Sequence, residues 1–171
     1  LGVEDRKEQL LSLMLAGSTH HESELTSLDE IIERMPEEQE TLYYALGTSR
    51  RLAEQSPHLE AFRDRGTEVI FLTDAVDAVW LQTTAEYKGK KFQSVGKGEV
   101  ELGSDEEKKQ AEEQREEQSS EYKDVLLCLR SHLQEQVSEV RLSSRLTSSA
   151  VCLVGESGDL SPQMEEMLRG M

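Results

Sequence analysis

Cysteine is scarce in this chain, and its two copies, Cys128 and Cys152, lack CxxC spacing. That excludes a disulfide-dense scaffold, gives no zinc-site pattern, and fits a reducing compartment. Basic residues are also few: 19 Lys and Arg stand against 35 Asp and Glu, a formal net charge of -16. Such a balance repels nucleic acid and anionic membrane surfaces, so neither is an expected partner. No apolar run approaches the roughly 20 residues that cross a bilayer. Nor does a basic segment lead into a hydrophobic stretch at the N-terminus. A soluble, cytoplasmic protein is the expectation. No glycine lies between Gly66 and Gly89, so the middle of the chain cannot build the glycine-rich turn that lets backbone N–H groups cradle a phosphate.

Hydrophobic residues make up 36% of the 171, which suffices for one sizeable core or two small ones. The organising stretch runs from Glu68 to Gln82. Val69 to Thr73 is apolar or β-branched without alternation, as in a strand covered on both faces. Asp74 then stands where a helix N-cap is wanted, and Val76, Val79, Trp80 and Thr83 recur at helical spacing. Strand, cap and helix in succession belong to open α/β sheets, whose ligands gather at strand C-terminal ends. Asp74 and Asp77 are therefore candidates to share a magnesium ion in a phosphotransfer or hydrolase site. Their i, i+3 spacing at a helix start equally fits a cap plus a carboxylate favoured by the helix dipole. The chain shows no plausible nucleophile or cleft-facing histidine to complete such an enzyme.

Elsewhere, Val3 to Leu15 reads as a helix ending before Gly17, and residues 16–26 read as a polar loop. His20 and His21 with Glu22 and Glu24 lack the fixed spacing of metal ligands, so a solvated loop is expected there. Ser27-Leu28-Asp29-Glu30 is a capping box that launches a helix through Ile31, Ile32 and Met35 to Pro36. Thr41 to Leu46 reads as a strand, Thr48 or Ser49 as a cap, and Ser56-Pro57 as an N-cap with proline at the first helical position. This helix and strand order implies an α/β fold with a short, mostly parallel sheet between helical layers. Tyr87 to Val95 reads as a turn into a short edge strand. Residues 103–121 hold one alanine and little else apolar, so they form a solvated helix or connector. The expected domains are 1–98, a charged connector 99–119, and an α+β segment 120–171. In the last, Tyr122, Val125, Leu126, Leu129 and Leu133 form a helical face that should dock on a second core. Val137 to Ser143 and Ala150 to Val154 read as strands, and a helix from Ser161 carries Met164, Met167, Leu168 and Met171 on one side. The chain opens on Leu and stops soon after that helical pattern begins, which suggests an excised fragment.

Several of these segments together resemble one family, the heat-shock protein 90 molecular chaperones, including the bacterial type called high-temperature protein G. The matching residues are Ser27-Leu28-Asp29-Glu30 with Arg34-Met35, Tyr43-Tyr44 with Gly47 and Ser49-Arg50, Ser56-Pro57 with Leu59-Glu60-Ala61-Phe62, and Glu68-Val69-Ile70 with Asp77. They continue through Gly89-Lys90, Ser94-Val95, Lys97-Gly98 and Glu101-Leu102 to Ser143, Arg145-Leu146, Ser161 and Met164-Glu165. The resemblance implies that residues 1–98 are the end of the middle domain and 120–171 the start of the C-terminal domain. The ATP-binding domain and the dimerisation helices of a homodimeric parent would then lie elsewhere. It further implies no catalytic residue, cofactor or metal in this stretch, with ATP and magnesium used by the parent in protein folding and stress response. The implied partners are client proteins and the other domains of the same chaperone. By position, Val79, Trp80, Met164, Met167 and Leu168 are the residues expected to meet clients. Val79 stands where relatives often carry an aromatic, and Trp80 comes one residue, about 100° of helix, later.

Overall fold

The computed structural model describes residues 3–98, 100, 102–103 and 105–155. In chain order its elements are α1 (Val3–Ser12), β1 (Leu15–Ser18), β2 (His21–Ser27), α2 (Leu28–Arg34), β3 (Thr41–Leu46) and α3 (Arg50–Glu54). A 3-10 turn (Pro57–Leu59) then leads to α4 (Glu60–Asp64), β4 (Val69–Leu72), α5 (Ala75–Thr83), β5 (Glu86–Tyr87), β6 (Lys90–Ser94), α6 (Asp105–Glu121) and α7 (Lys123–Leu133). Two compact units result: residues 1–99 with 145–171, and residues 100–144.

The first unit is an α/β domain around one sheet of order β2-β1-β4-β3-β6-β5. The expected parallel pairing holds at its centre, where β3 lies between β4 and β6 and runs parallel to both. The flanking pairs β1–β2, β1–β4 and β5–β6 are antiparallel, so the sheet is mixed, with more antiparallel than parallel pairs, and not mostly parallel as expected, because short hairpins rather than helical crossovers join its outer strands. Residues 16–26, expected as loop, build most of the β1–β2 hairpin instead. Every residue of β2 from His21 to Leu25 is solvent-exposed, so this strand lacks the apolar alternation that identifies strands; its pairing with β1 makes it one. The strand expected at the edge, β6, is interior, and the two-residue β5 closes the sheet beyond it. The β5–β6 turn takes Lys88 and Gly89 at φ 46° and 76°, the left-handed pair of a two-residue hairpin turn, which glycine enters without steric cost.

Alternation along the central strands splits the core between the two faces. Leu42, Tyr44, Leu46, Ile70 and Leu72 pack with Leu28 and Ile31 of α2, Ala78 of α5 and Tyr87. On the opposite side Tyr43 meets Phe62 of α4 edge to face, with ring centroids 4.9 Å apart. Phe62 and Leu59 are fully buried. The capping box of α2 forms as read: Glu30 accepts from the Ser27 N–H at 2.8 Å, and Ser27 Oγ accepts from the Glu30 N–H at 3.3 Å. The Ser27 N–H, and with it the Ser27 hydroxyl, donate to Oε2 and hold the Glu30 carboxyl below its ordinary range. Ser27→Ala is expected to cost about 1 kcal/mol in urea unfolding.

Gly17 is dictated by a close approach. A Cβ there would stand 2.6 Å from Nη1 of Arg50. Arg50 donates from Nη2 to the carbonyls of Ser18 (3.1 Å) and His21, from Nε to Glu54 (2.6 Å), and lies over the Phe71 ring. Gly17→Ala should displace this guanidinium and cost about 1–2 kcal/mol for the bonds lost. In an Arg50→Ala background the same change should cost little, a coupling that a double-mutant cycle reads directly.

In the second unit the charged run forms a helix, α6, one of the two expected alternatives. The amphipathic α7 also forms, but none of its residues is buried, and Tyr122, Val125, Leu127 and Leu129 are exposed. The docking on a second core is therefore corrected among the described residues. An apolar stripe states a demand for burial, and among the described residues of 100–144 the only other helix, α6, has no apolar face to meet it. Neither Val137–Ser143 nor Ala150–Val154 forms a strand. The helix expected from Ser161 lies outside the described residues.

Candidate functional site

Helix α5 carries the first candidate surface. Asp74 takes the extended backbone of an N-cap, with φ -93° and ψ 141°. The Asp77 carboxylate reaches back to the Asp74 N–H at 3.0 Å through Oδ2 and accepts from Trp80 Nε1–H at 2.9 Å through Oδ1. Both oxygens of Asp77 thus close the helix start and orient the indole, which favours capping over the magnesium reading. No cluster of three His, Cys, Asp or Glu side chains able to hold a metal occurs among the described residues.

Trp80 is half-buried, its ring edge-on to Phe92 of β6 with centroids 5.5 Å apart. Val76 and Val79, on the outward side of α5, are 63% and 49% exposed. The structure therefore brings together an anchored aromatic and two solvent-facing valines on one short helix. Met164, Met167 and Leu168 lie outside the described residues.

Beside α5 a cleft of about 270 Å3 opens over β3 and β6, lined by Tyr44, Leu81, Gln82, Phe92, Gln93, Ser94 and Lys97. No periodicity in the sequence announces it, because three separate elements contribute its walls. Burial pushes the Tyr44 phenol up, and a hydrogen bond with Ser94 opposes that shift. The turn flanking β6 is tied to α2: Tyr87 Oη and Lys88 Nζ each donate to Asp29 Oδ1 at 2.7 Å. Both contacts, Lys88 foremost, hold the Asp29 carboxyl below its usual range.

The second feature that sequence reasoning missed is a polar strap, residues 145–155, lying on the first unit. Arg145 is buried, and its guanidinium donates to the carbonyls of Lys97 (3.0 Å) and Gly98. The Arg145 carbonyl accepts from the Ala61 N–H at 3.1 Å. Glu60, at the start of α4, receives the N–H groups of Thr147 (2.7 Å), Ser148 (2.8 Å) and Ser149 (3.1 Å) on Oε2. The Ser149 hydroxyl foremost, and these N–H groups with it, hold its carboxyl far below the ordinary glutamate range. Gly155 bridges to Lys97, exchanging bonds with Gly96 and Gly98 at 3.1 and 3.0 Å. Under the strap His58 is buried and bonded to the Leu153 backbone, and its Nδ1 has no hydrogen-bond partner among the described residues. Burial and the Arg145 charge push its pKa down to about 4. The sequence cues to this latch, Leu59-Glu60-Ala61 after His58 and Arg145-Leu146, read as ordinary helix and loop.

In α7, Cys128 Sγ stands 3.9 Å from His132 Nδ1, one helical turn away. That nitrogen also lies 2.8 Å from the Cys128 carbonyl, an intrahelical contact at an exposed position.

A family profile described as "Hsp90 protein" matches residues 2–171. The "Chaperone protein HtpG" of Nocardia farcinica is 49% identical over 165 residues, covering 96% of this chain and 25% of that protein. Those of Frankia casuarinae and Geobacter metallireducens are 47% and 49% identical, covering 98% and 96% of this chain and 26% of each relative. The chain thus spans about a quarter of the length of the curated relatives it matches.

Proposed function

This chain belongs to the Hsp90 protein family, and on that premise we propose that it is the stretch of an HtpG-type chaperone running from the end of the middle domain into the start of the C-terminal domain. Its work is to hold partly folded client proteins. ATP binding and turnover, with magnesium, belong to regions of the parent outside these 171 residues, as does the pairing of two parents into a homodimer. The parent works in the cytoplasm on folding and in the stress response.

The observation that carries this reading is the outward face of α5, where Val76 and Val79 are exposed beside a Trp80 already anchored by Asp77 and Phe92. Apolar surface of this kind gains roughly 25 cal/mol per Å2 when covered, while the net charge of -16 keeps a complex with an unfolded chain dispersed. Binding of this sort is modest in affinity and tolerant of sequence. Met164, Met167 and Leu168, outside the described residues, are the other positions proposed to meet clients.

The test is suppression of thermal aggregation of an unfolded reporter by the parent chaperone. Val76→Ser with Val79→Ser replaces exposed side chains only, so the fold should keep its unfolding midpoint while holding drops several-fold. A triple alanine variant at Met164, Met167 and Leu168 should lower it further. Undiminished holding in both variants would refute the assignment.

A further inference from the structure

The cleft beside α5 carries more than the client reading requires. The winding of the sheet reverses across it: from β3 the chain passes to β4 on one side, then returns through α5 to place β6 on the other side of β3. Open α/β sheets put their ligand crevices at such reversals. Its volume of about 270 Å3 lies just under the roughly 300–1,000 Å3 of small-molecule pockets. That is room for one side chain and its neighbour's head group, and too little for a nucleotide.

The chemistry of the walls is two-sided. Leu81, Phe92 and the Tyr44 ring are apolar surface, while Gln82 and Lys97 bring an amide and an ammonium group to the same space. The Lys97 ammonium pairs with no carboxylate among the described residues, although its chain is strongly acidic. It also belongs to a stretch in which lysine outnumbers acid, unlike the chain as a whole: residues 86–101 contain Lys88, Lys90, Lys91 and Lys97 against Glu86, Glu99 and Glu101. Lys88 is committed to Asp29, and Lys90 donates to the Gln39 carbonyl. Lys97 is the lysine of this group that lines the cleft. Its backbone is fixed from both sides, by Arg145 on its carbonyl and by the bridge to Gly155.

We infer that this cleft docks a peptide segment in which an apolar residue is followed by an acidic one, the apolar side chain resting on Leu81 and Phe92 and the carboxylate meeting Lys97. The inference rests on the client-holding reading and deepens it, because it gives an acidic protein a place where an acidic segment is attracted rather than repelled. A charge-assisted bond at a partly desolvated lysine supplies the discrimination, and the apolar floor supplies the remaining affinity. Phe92 touches both Trp80 and the cleft, so occupancy is reported by the chain's one tryptophan.

The experiment titrates the chain with N-acetyl-Phe-Glu-amide and with N-acetyl-Phe-Gln-amide, following Trp80 fluorescence and the amide shifts of Leu81, Phe92 and Ser94. The Glu peptide should bind about tenfold tighter than the Gln peptide. Lys97→Met, which keeps the side-chain stem and the backbone bonds, should reduce that ratio to about one. Gln82→Glu, at an exposed position on the same wall, should weaken the Glu peptide selectively even if Lys97→Met proves unstable. An absence of saturable shifts, shifts mapping away from the cleft, or a preference unchanged in both variants would overturn the assignment. If the reporter is still held while the titration fails, only the cleft assignment falls. If the peptide binds but the α5 and methionine variants hold the reporter undiminished, the cleft stands and the client reading falls.

Discussion

Acidification from pH 7 to pH 4 is expected to cost the first unit up to about 3 kcal/mol, and most of that loss should trace to His58. The ring is buried, lies beside the Arg145 guanidinium, and has its pKa pushed down to about 4 from the ordinary 6.5. A histidine that binds its proton less well folded than unfolded destabilises the fold only once the unfolded form can charge. Its contribution is therefore intact above about pH 6.5, declines as pH falls through the interval down to about 4, and is fully lost below that. Glu60 also has a depressed pKa, but a carboxylate held so low keeps its bonds to the strap until far stronger acid, so the two groups act in separate windows. Urea midpoints measured every half pH unit should show the first decline in the native chain and not in His58→Leu, which fills the same space without a titrating nitrogen. A decline of equal size in that variant would assign it elsewhere. The molecule also has a route short of global unfolding: releasing the strap exposes His58 to water. Hydrogen exchange of residues 147–155 should therefore accelerate at a higher pH than the central strands β3 and β4.

What was legible in the sequence follows from which forces act locally. The strands β3 and β4 are buried on both faces and therefore read as unbroken apolar runs, and the caps at Ser27 and Asp74 are satisfied within four residues of chain. Val79 and Trp80 were placed on a helix by spacing alone. Their unequal exposure needed the partner, because Phe92 covers one side of the indole while Val79 stays 49% exposed. The elements misread are those whose reason lies elsewhere in the chain. Nothing in His21-Glu22-Ser23-Glu24 states that it lies along β1. Val151 and Leu153 read as strand because β-branched and apolar residues favour pleated backbone, yet both are more than half exposed. The segment is held through Glu60, Arg145 and Gly155 rather than through its apolar side chains. The cleft is the extreme case, since its walls are drawn from β3, α5 and the end of β6.

Arg145→Ala should have the other large effect, and its form is informative. Truncation removes the donor that serves the partly buried carbonyls of Lys97 and Gly98, and each acceptor that water does not then reach costs roughly 1–3 kcal/mol. A loss of about 3–4 kcal/mol would follow if the strap stayed in place. It need not stay. Beyond Arg145 the strap is fastened by the bond between His58 and the Leu153 backbone and by bonds that water can replace, those to the Glu60 cluster and the bridge at Gly155. Once undocking costs less than a dry carbonyl, the strap leaves, and the penalty is capped at its docking free energy. The central sheet should then unfold at nearly the native urea concentration, while the amides of Thr147, Ser148, Ser149 and Gly155 exchange at least a hundredfold faster. That factor corresponds to about 2.8 kcal/mol of local stability. Lys97 loses its backbone anchor in the same event, so the preference of the cleft for an acidic peptide should fall with it. Native exchange at these four amides together with a large drop in the global midpoint would show instead that the strap is integral to the core.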